Sequence, residues 1–349
     1  KVGIVECKSY NQKQVDRAIK KSLELIDFHI GKNKKVLLKP NLVVDKSKHI
    51  EATITNKAII EALCKILKKN NCKIFIGESS FTNTVDCFKN SGLNEFIKKY
   101  NAKIVVFEQD KLVKTHSHRA KFLRSFPVSK TLKNMDLIIN LPKLKTHLLT
   151  KYTGAVKNLY GVIPGGLKQR LHTKAHGDRN FSNMLLDIYE EISPQLNIMD
   201  GIIGMEGQGP TAGTPVKSKL ILCSKNAVAL DIACSRLIGL NPKKVYSNYY
   251  AIKRKLYSSY KFELVGMDKL PSLRFNIPKG DSSSKLKALF REKPIIVDET
   301  KCTKCGTCAL KCPQKAIKLK PYPVVDRKKC IRCFCCMEIC PNHALSLGK

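Results

Sequence analysis

Eight cysteines near the end of the chain set its most specific chemistry. Cys302-x2-Cys305-x2-Cys308-x3-Cys312-Pro313 is followed by Cys330-x2-Cys333-x2-Cys336-x3-Cys340-Pro341. A [4Fe–4S] cubane takes four thiolates: three at x2 spacing come from one tight loop, and the cysteine before the proline ligates the other cluster. The spacing therefore assigns Cys302, Cys305, Cys308 and Cys340 to one cluster and Cys330, Cys333, Cys336 and Cys312 to a second. Four-cysteine zinc sites also use C-x2-C pairs, but a third Cys at the same interval and a terminal Cys-Pro depart from zinc-ribbon spacing. Two [4Fe–4S] clusters are the expected cofactors. Cys335 falls outside the pattern as a spare thiol beside a ligand.

A second concentration of reactive side chains follows Leu141-Pro142. The stretch from Lys143 to Gly166 carries Lys145, His147, Gly154 and Lys157, with Lys168, His172 and His176 close behind. It reads as too polar for a core strand and too glycine-rich for a plain helix. His147 either braces its loop or acts as an acid–base or anion-binding group among lysines. Lys157 is either a surface cation or, approached through Gly154, a binder of phosphate or carboxylate. His147 and Lys157 are the catalytic candidates, and a further small-molecule cofactor could bind beside them. Asn41, Lys145, Gly154, His172, His176, Asp200 and Glu206 are candidates for holding substrate or cofactor. Asp200 and Glu206 flank a glycine-rich segment, so turn chemistry competes there with metal binding. Gly204, Gly207, Gly209 and Gly213 do not fit G-x-G-x-x-G, which argues against a nicotinamide site.

The elements that must position these groups alternate. Apolar runs at Val2–Cys7, Lys35–Val43, Cys72–Ser80, Ala102–Phe107, Met135–Pro142, Leu196–Asp200 and Leu220–Cys223 read as strands. Between them, Val15, Ile19, Leu23 and Ile26, then Ile54 to Lys69, residues 180–192 and Ala227–Leu237 have helical spacing. This rhythm predicts an α/β fold: a mostly parallel sheet with helices on both faces and ligands at the carboxyl ends of the strands, where Asn41 and Glu78 would lie. The expected organisation is an α/β body over 1–280, a linker at 281–293 around Gly280-Asp281-Ser282-Ser283-Ser284, and a small α+β, ferredoxin-like 2[4Fe–4S] domain over 294–349.

At Lys39-Pro40-Asn41-Leu42-Val43, Leu141-Pro142-Lys143-Leu144-Lys145-Thr146-His147, Thr153-Gly154-Ala155-Val156-Lys157-Asn158-Leu159-Tyr160-Gly161 and Asp200-Gly201-Ile202-x-Gly204-Met205-Glu206-Gly207, the chain resembles the family called domain of unknown function 362. That resemblance spans nearly the whole chain and implies a body whose chemistry is unassigned, often joined to a C-terminal double-cluster ferredoxin module. A more distant likeness joins His147, Gly154, Lys157 and Pro164-Gly165 to the cofactor-holding segment of nickel-pincer lactate racemases. The small-residue run Thr-Gly-Ala-Val departs from a double glycine, and no racemase is expected to carry ferredoxin clusters. It implies a binding loop of shared ancestry rather than a nickel pincer.

Composition bounds the remaining choices. With 43% hydrophobic and 26% charged residues, the 349-residue chain is globular and too long for a bare electron carrier. It has no stretch of the roughly 20 apolar residues a membrane span takes, and a strand-like Lys1-Val2-Gly3-Ile4-Val5-Glu6 start gives an expectation of a cytoplasmic protein. The six body cysteines are expected to be free thiols. A net charge of +36 suits an acidic redox protein or an anionic small molecule as partner; nucleic acid would also suit it, though no motif supports that. Three functions compete: an oxidoreductase passing electrons through two clusters to a substrate or cofactor in the body, a non-catalytic electron-transfer subunit docking an acidic enzyme, and a binding or regulatory protein with structural clusters.

Overall fold

The computed structural model describes residues 1–278 and 294–348; the linker expected at 281–293 lies outside them. The apolar runs form the centre of a sheet that has eleven strands among the described residues. Strands β1 (Val2–Glu6), β2 (Lys35–Pro40), β3 (Lys73–Glu78) and β4 (Lys103–Val106) come first, and β5 (Leu112–His116) and β6 (Ser125–Ser129) make a separate hairpin. They are followed by β7 (Leu137–Leu141), β8 (Lys143–His147), β9 (Lys151–Thr153), β10 (Leu196–Glu206), β11 (Thr214–Val216), β12 (Leu220–Ser224) and β13 (Leu264–Val265). The run β7-β2-β3-β4 is parallel, as are the pairings of β10 with β7 and β8, whereas β12 lies antiparallel to both β10 and β1. Central parallel strands are covered on both faces and so carry near-continuous apolar runs; every residue of β7 is buried.

Two apolar layers seal the sheet. Helices Gln12–Leu25 and Lys57–Lys69 place Ile19, Ile59 and Leu63 on one face. Helices Gly177–Ile192 and Ala227–Leu237 place Leu185, Ile188 and Leu230 on the other. The helix expected from Ile54 starts three residues later. Thr55 Oγ1 donates to Leu141 O at 2.6 Å and accepts from Asn41 N at 2.9 Å, which holds this segment against the sheet, and Asn56 then caps the helix by accepting from Ala58 N at 3.0 Å.

Two sequence expectations are corrected by partners that are distant in the chain. β8 is a core strand, all five of its residues buried, because each polar side chain in Lys143-Leu144-Lys145-Thr146-His147 finds a buried partner. β10 does not end at Asp200 but runs to Glu206. Its glycines lie against neighbouring strands: a Cβ at Gly201 would stand 2.9 Å from Leu220 O and one at Gly204 3.0 Å from Leu144 O.

The cysteine-rich module pairs β14 (Ile295–Val297) with β17 (Leu345–Leu347) and β15 (Ile317–Lys320) with β16 (Tyr322–Val325). Its backbone repeats with the cysteines. Left-handed residues Lys304, Gly306 and Lys315 (φ 58°, 74° and 50°) recur as Arg332, Phe334 and His343 (52°, 61° and 51°). A bulky Phe at the position of Gly306 is strained. Packing offsets the cost, since Phe334 is 8% exposed within a cluster that contains Leu148 of the body.

Candidate functional site

The module holds two cavities whose linings sort the cysteines. One is lined by Cys302, Cys305, Cys308 and Cys340, the other by Cys330, Cys333, Cys336 and Cys312. Each combines three thiols of one run with the last of the other. Among the described residues no group of three or more His, Cys, Asp or Glu is placed to hold a single metal ion. Ala316 N donates to Cys312 Sγ at 3.3 Å and Ala344 N to Cys340 Sγ at 3.2 Å, equivalent N–H···S bonds of the kind that tune a cluster's potential. Cys335 is fully buried, and the body cysteines are free, Cys72 alone of the six being partly exposed.

In the body, the alternation of β8 puts Lys143, Lys145 and His147 on one face. Lys143 Nζ donates to Asp200 Oδ2 at 2.9 Å and to Tyr10 OH at 2.7 Å. Lys145 Nζ donates to Thr53 O at 2.7 Å and Asn41 Oδ1 at 3.1 Å. From Asn41 a one-way file of amides crosses the sheet: Asn41 Nδ2 donates to Asn158 Oδ1 (2.9 Å), Asn158 Nδ2 to Asn140 Oδ1 (2.8 Å), and Asn140 Nδ2 to Asn197 Oδ1 (2.9 Å). Fully satisfied buried networks of this kind fix one arrangement. Here it fixes the turn that presents Lys157.

That turn also depends on Asp231, whose carboxylate accepts from Ala155 N at 2.6 Å and Val156 N at 3.0 Å. A Cβ at Gly154 would stand 2.1 Å from Asp231 Oδ1, and one at Gly161 2.0 Å from Glu78 Oε1. The close approach that the sequence suggested for a ligand at Gly154 is therefore occupied by protein atoms.

His147 both braces its loop and faces a charge. Its Nδ1 accepts from Leu149 N at 3.0 Å and Thr150 N at 3.3 Å, so the hydrogen-bond pattern assigns the neutral ring's proton to Nε2. Nε2 lies 3.1 Å from Oε1 of Glu338, which belongs to the module helix Cys335–Ile339. Burial, reinforced by Lys157, lowers His147 to about 4. Burial would raise Glu338, but His147, Lys157 and His172 outweigh it and hold that carboxyl at about 2. A neutral imidazole thus meets a carboxylate across the seam between body and module. Thr211 Oγ1 donates to Glu338 O at 3.0 Å and Gln314 Nε2 to Thr173 Oγ1 at 3.1 Å, closing the same seam.

Beside this contact lies a cavity of about 70 Å³, with Asn41, Lys157, Asn158, Lys168, His172 and Glu338 in its lining. Lys157 Nζ makes no hydrogen bond or ion pair among the described residues. Lys168 Nζ donates to Ser79 O and, at 2.7 Å, to Ser79 Oγ, and burial lowers it to about 8. The His172 ring is stacked on Phe181 and edge-on to Tyr160. His172 also lines a larger cavity of about 200 Å³ that includes His176, Lys151, Cys330 and Cys333.

His147, Lys157, His172, Asn41 and Lys145 are therefore brought together. His176 is exposed and reaches only the larger cavity. Asp200 and Glu206 are not turn residues of the site: Asp200 is spent on Lys143 and Tyr10, and Glu206 accepts from Asn276 N at 2.7 Å. Glu338, Asn158 and Lys168 were not among the sequence candidates. One signal pointed to Glu338, as the sole acid between Cys330 and Cys340.

Burial holds His172 at about 4, below the roughly 6.5 of an unfolded histidine. The folded state resists the proton that the unfolded chain accepts, so stability is full above about pH 6.5 and falls as pH drops toward 4. His172→Gln is expected to flatten this acid limb. The check is the unfolding midpoint followed from pH 7 to 5 beside the parent protein.

Two family models match separate parts of the chain. Residues 295–318 match the model of the 4Fe-4S binding domain, so the chain carries an iron–sulfur module. The thylakoid-associated protein sll1697 of Synechocystis sp. is 34% identical over 213 residues, covering 60% of this chain; the chain spans 65% of that relative's length. Lactate racemase apoprotein from Thermoanaerobacterium thermosaccharolyticum superimposes with a TM-score of 0.43 at 13% identity, covering 68% of this chain and 57% of its own. A protein from Thermotoga maritima gives 0.36 at 14% identity, covering 58% and 52%. No helix among the described residues is long and apolar enough to cross a membrane. Residues 36–236, more than half of the chain, match the model described as domain of unknown function (DUF362), and the protein belongs to that family.

Proposed function

We propose that the protein is an iron–sulfur oxidoreductase acting on a small molecule at the seam between body and module. Two [4Fe–4S] clusters, one on each cysteine set, would supply one-electron transfer between the module's outer face and that seam. The observation that carries this reading is Glu338, which lies two residues from Cys336 and lines the body cavity beside Lys157 and His172. A fused module that builds part of the pocket keeps donor and acceptor at high effective concentration. Lys157 orients the substrate, the amide file holds the Lys157 turn, and His147 and the apolar module contacts exclude water from the seam. Cys305 and Leu310 are exposed on the outer set, where Lys301, Lys304 and Lys311 suit an acidic redox partner. The free body thiols suit a reducing compartment such as the cytoplasm.

The test is reoxidation of anaerobically purified, dithionite-reduced protein by a pool of small metabolites, followed in the visible absorbance of the clusters. Lys157→Gln and His147→Ala are expected to keep full iron content and lose reoxidation. A net charge of +36 favours the electron-transfer subunit as the second reading. Reoxidation by an acidic protein alone, equal in both variants, would establish it instead.

A further inference from the structure

The 70 Å³ cavity has a definite electrostatic character. Lys39, Lys145, Lys157 and Lys168 crowd its walls and backing against two carboxylates, Glu78 and Glu338. Glu78 is paired with Lys39 Nζ at 2.8 Å, and Glu338 Oε1 stands 3.1 Å from the neutral His147 ring. Lys145 and Lys168 are spent on neutral oxygens. That leaves Lys157, whose ammonium has no acceptor among the described residues, and His172, which is 6% exposed, borders the same space and has no hydrogen bond there. Lys157 is only partly buried, and a ligand that fills the cavity must replace the hydrogen bonds that water can make there. A space bordered by both selects the ligand that would satisfy them.

Size narrows the choice. One water takes about 10–15 Å³ on this scale and an engineered cavity of about 150 Å³ holds benzene, so the cavity admits a head group of a few heavy atoms. His172 is common to its lining and to that of the 200 Å³ cavity beside Cys330 and Cys333. A larger organic portion would find room there.

We infer that this seam is a receptor for a small organic oxyanion: a carboxylate or phosphate head sits against Lys157 and His172, and the rest of the molecule extends past His172 toward the inner cysteine set. The inference deepens the oxidoreductase reading by naming its substrate class, yet binding is measurable without turnover. Asn41 and Asn158 add neutral polar edges, and Lys145 behind Asn41 supplies a second positive charge at longer range. A cationic or purely apolar ligand would leave Lys157 unpaired and is excluded on the same grounds.

Acetate and inorganic phosphate, titrated calorimetrically into oxidised, cluster-loaded protein at fixed ionic strength, test the site. One saturable site is expected for at least one of them, acetate marking a carboxylate receptor and phosphate a phosphate receptor. Lys157→Gln should weaken it about ten- to a hundredfold, the range of a charge-assisted hydrogen bond. Lys157→Arg should retain it, and Lys13→Gln, on an exposed helix face, should leave it unchanged. Iron content confirms that each variant is folded and loaded. Absence of saturable binding by both anions, or binding indifferent to Lys157→Gln, overturns the receptor. Saturable binding in a protein whose reduced clusters no metabolite reoxidises keeps the receptor and removes the oxidoreductase reading.

Discussion

Replacing Cys312 with alanine is expected to remove the cluster of the second cysteine run while sparing that of the first, to which Cys312 belongs in sequence. The cavity lined by Cys330, Cys333 and Cys336 takes its fourth thiol from Cys312, and that lined by Cys302, Cys305 and Cys308 takes its fourth from Cys340. Loss of one thiolate from a cubane's four leaves an iron without its protein ligand, so iron should fall from about eight to about four per chain in either variant. Iron and sulfide content alone does not separate the pairings. The reduced proteins do: Cys312→Ala should share its residual paramagnetic spectrum and potential with Cys333→Ala, and Cys340→Ala should share its own with Cys305→Ala. Pairing of Cys312→Ala with Cys305→Ala would show that each run closes its own cluster. The functional consequence follows from position. Cys312→Ala and Cys333→Ala should abolish reoxidation by a substrate at the seam, because the set they disable is the one whose Cys330 and Cys333 line the larger cavity with His172.

The iron–sulfur module was legible because its cysteine runs follow a local spacing rule, and the α/β body because strands and helices carry their periodicity within a dozen residues. Ala227–Leu237 begins and ends where its apolar pattern does. What sequence reasoning lost were groups whose meaning depends on partners far along the chain. Lys143, Lys145 and His147 looked too polar for a core strand, yet their partners are Asp200, Asn41 and Glu338, of which the last lies in another module. Gly154 looked like space kept for a ligand; the space is taken by Asp231. Glu338 carried no periodic signal, and only its isolation as an acid among the second run's cysteines marked it. Charge was legible in amount but not in use. Of the five lysines in the 143–168 stretch, one is tied to a carboxylate, three (Lys145, Lys151 and Lys168) to neutral oxygens, and Lys157 is left with its ammonium toward a cavity.

The correction at Asp200 leads to the largest expected loss of stability in the body. Asp200 was a turn candidate by sequence; in the fold it is a fully buried carboxylate in mid-strand, accepting from Lys143 Nζ and Asn56 N at 2.9 Å and from Tyr10 OH at 2.8 Å. Asp200→Ala strands a lysine with no exposed surface and leaves the Asn56 N–H, at the start of a core helix, without its acceptor. Removing one partner of a buried ion pair costs about 3–5 kcal/mol, because the remaining charge has neither water nor counterion. Burial already lowers the affinity of Lys143 for its proton and Asp200 opposes that shift; without the carboxylate the lysine would fold as the neutral amine. The variant should therefore lose less stability at alkaline pH, where the unfolded chain also gives up the lysine proton, than at pH 7. Replacing both members, Lys143→Met with Asp200→Leu, should recover much of the loss, since well-packed apolar side chains often match a buried pair in stability. Denaturation midpoints of the single and double variants decide it. If Asp200→Ala unfolds like the parent, the pair is not the electrostatic anchor of β8. If the double variant is as damaged as the single, the hydrogen bonds to Tyr10 and Asn56 outweigh the charge.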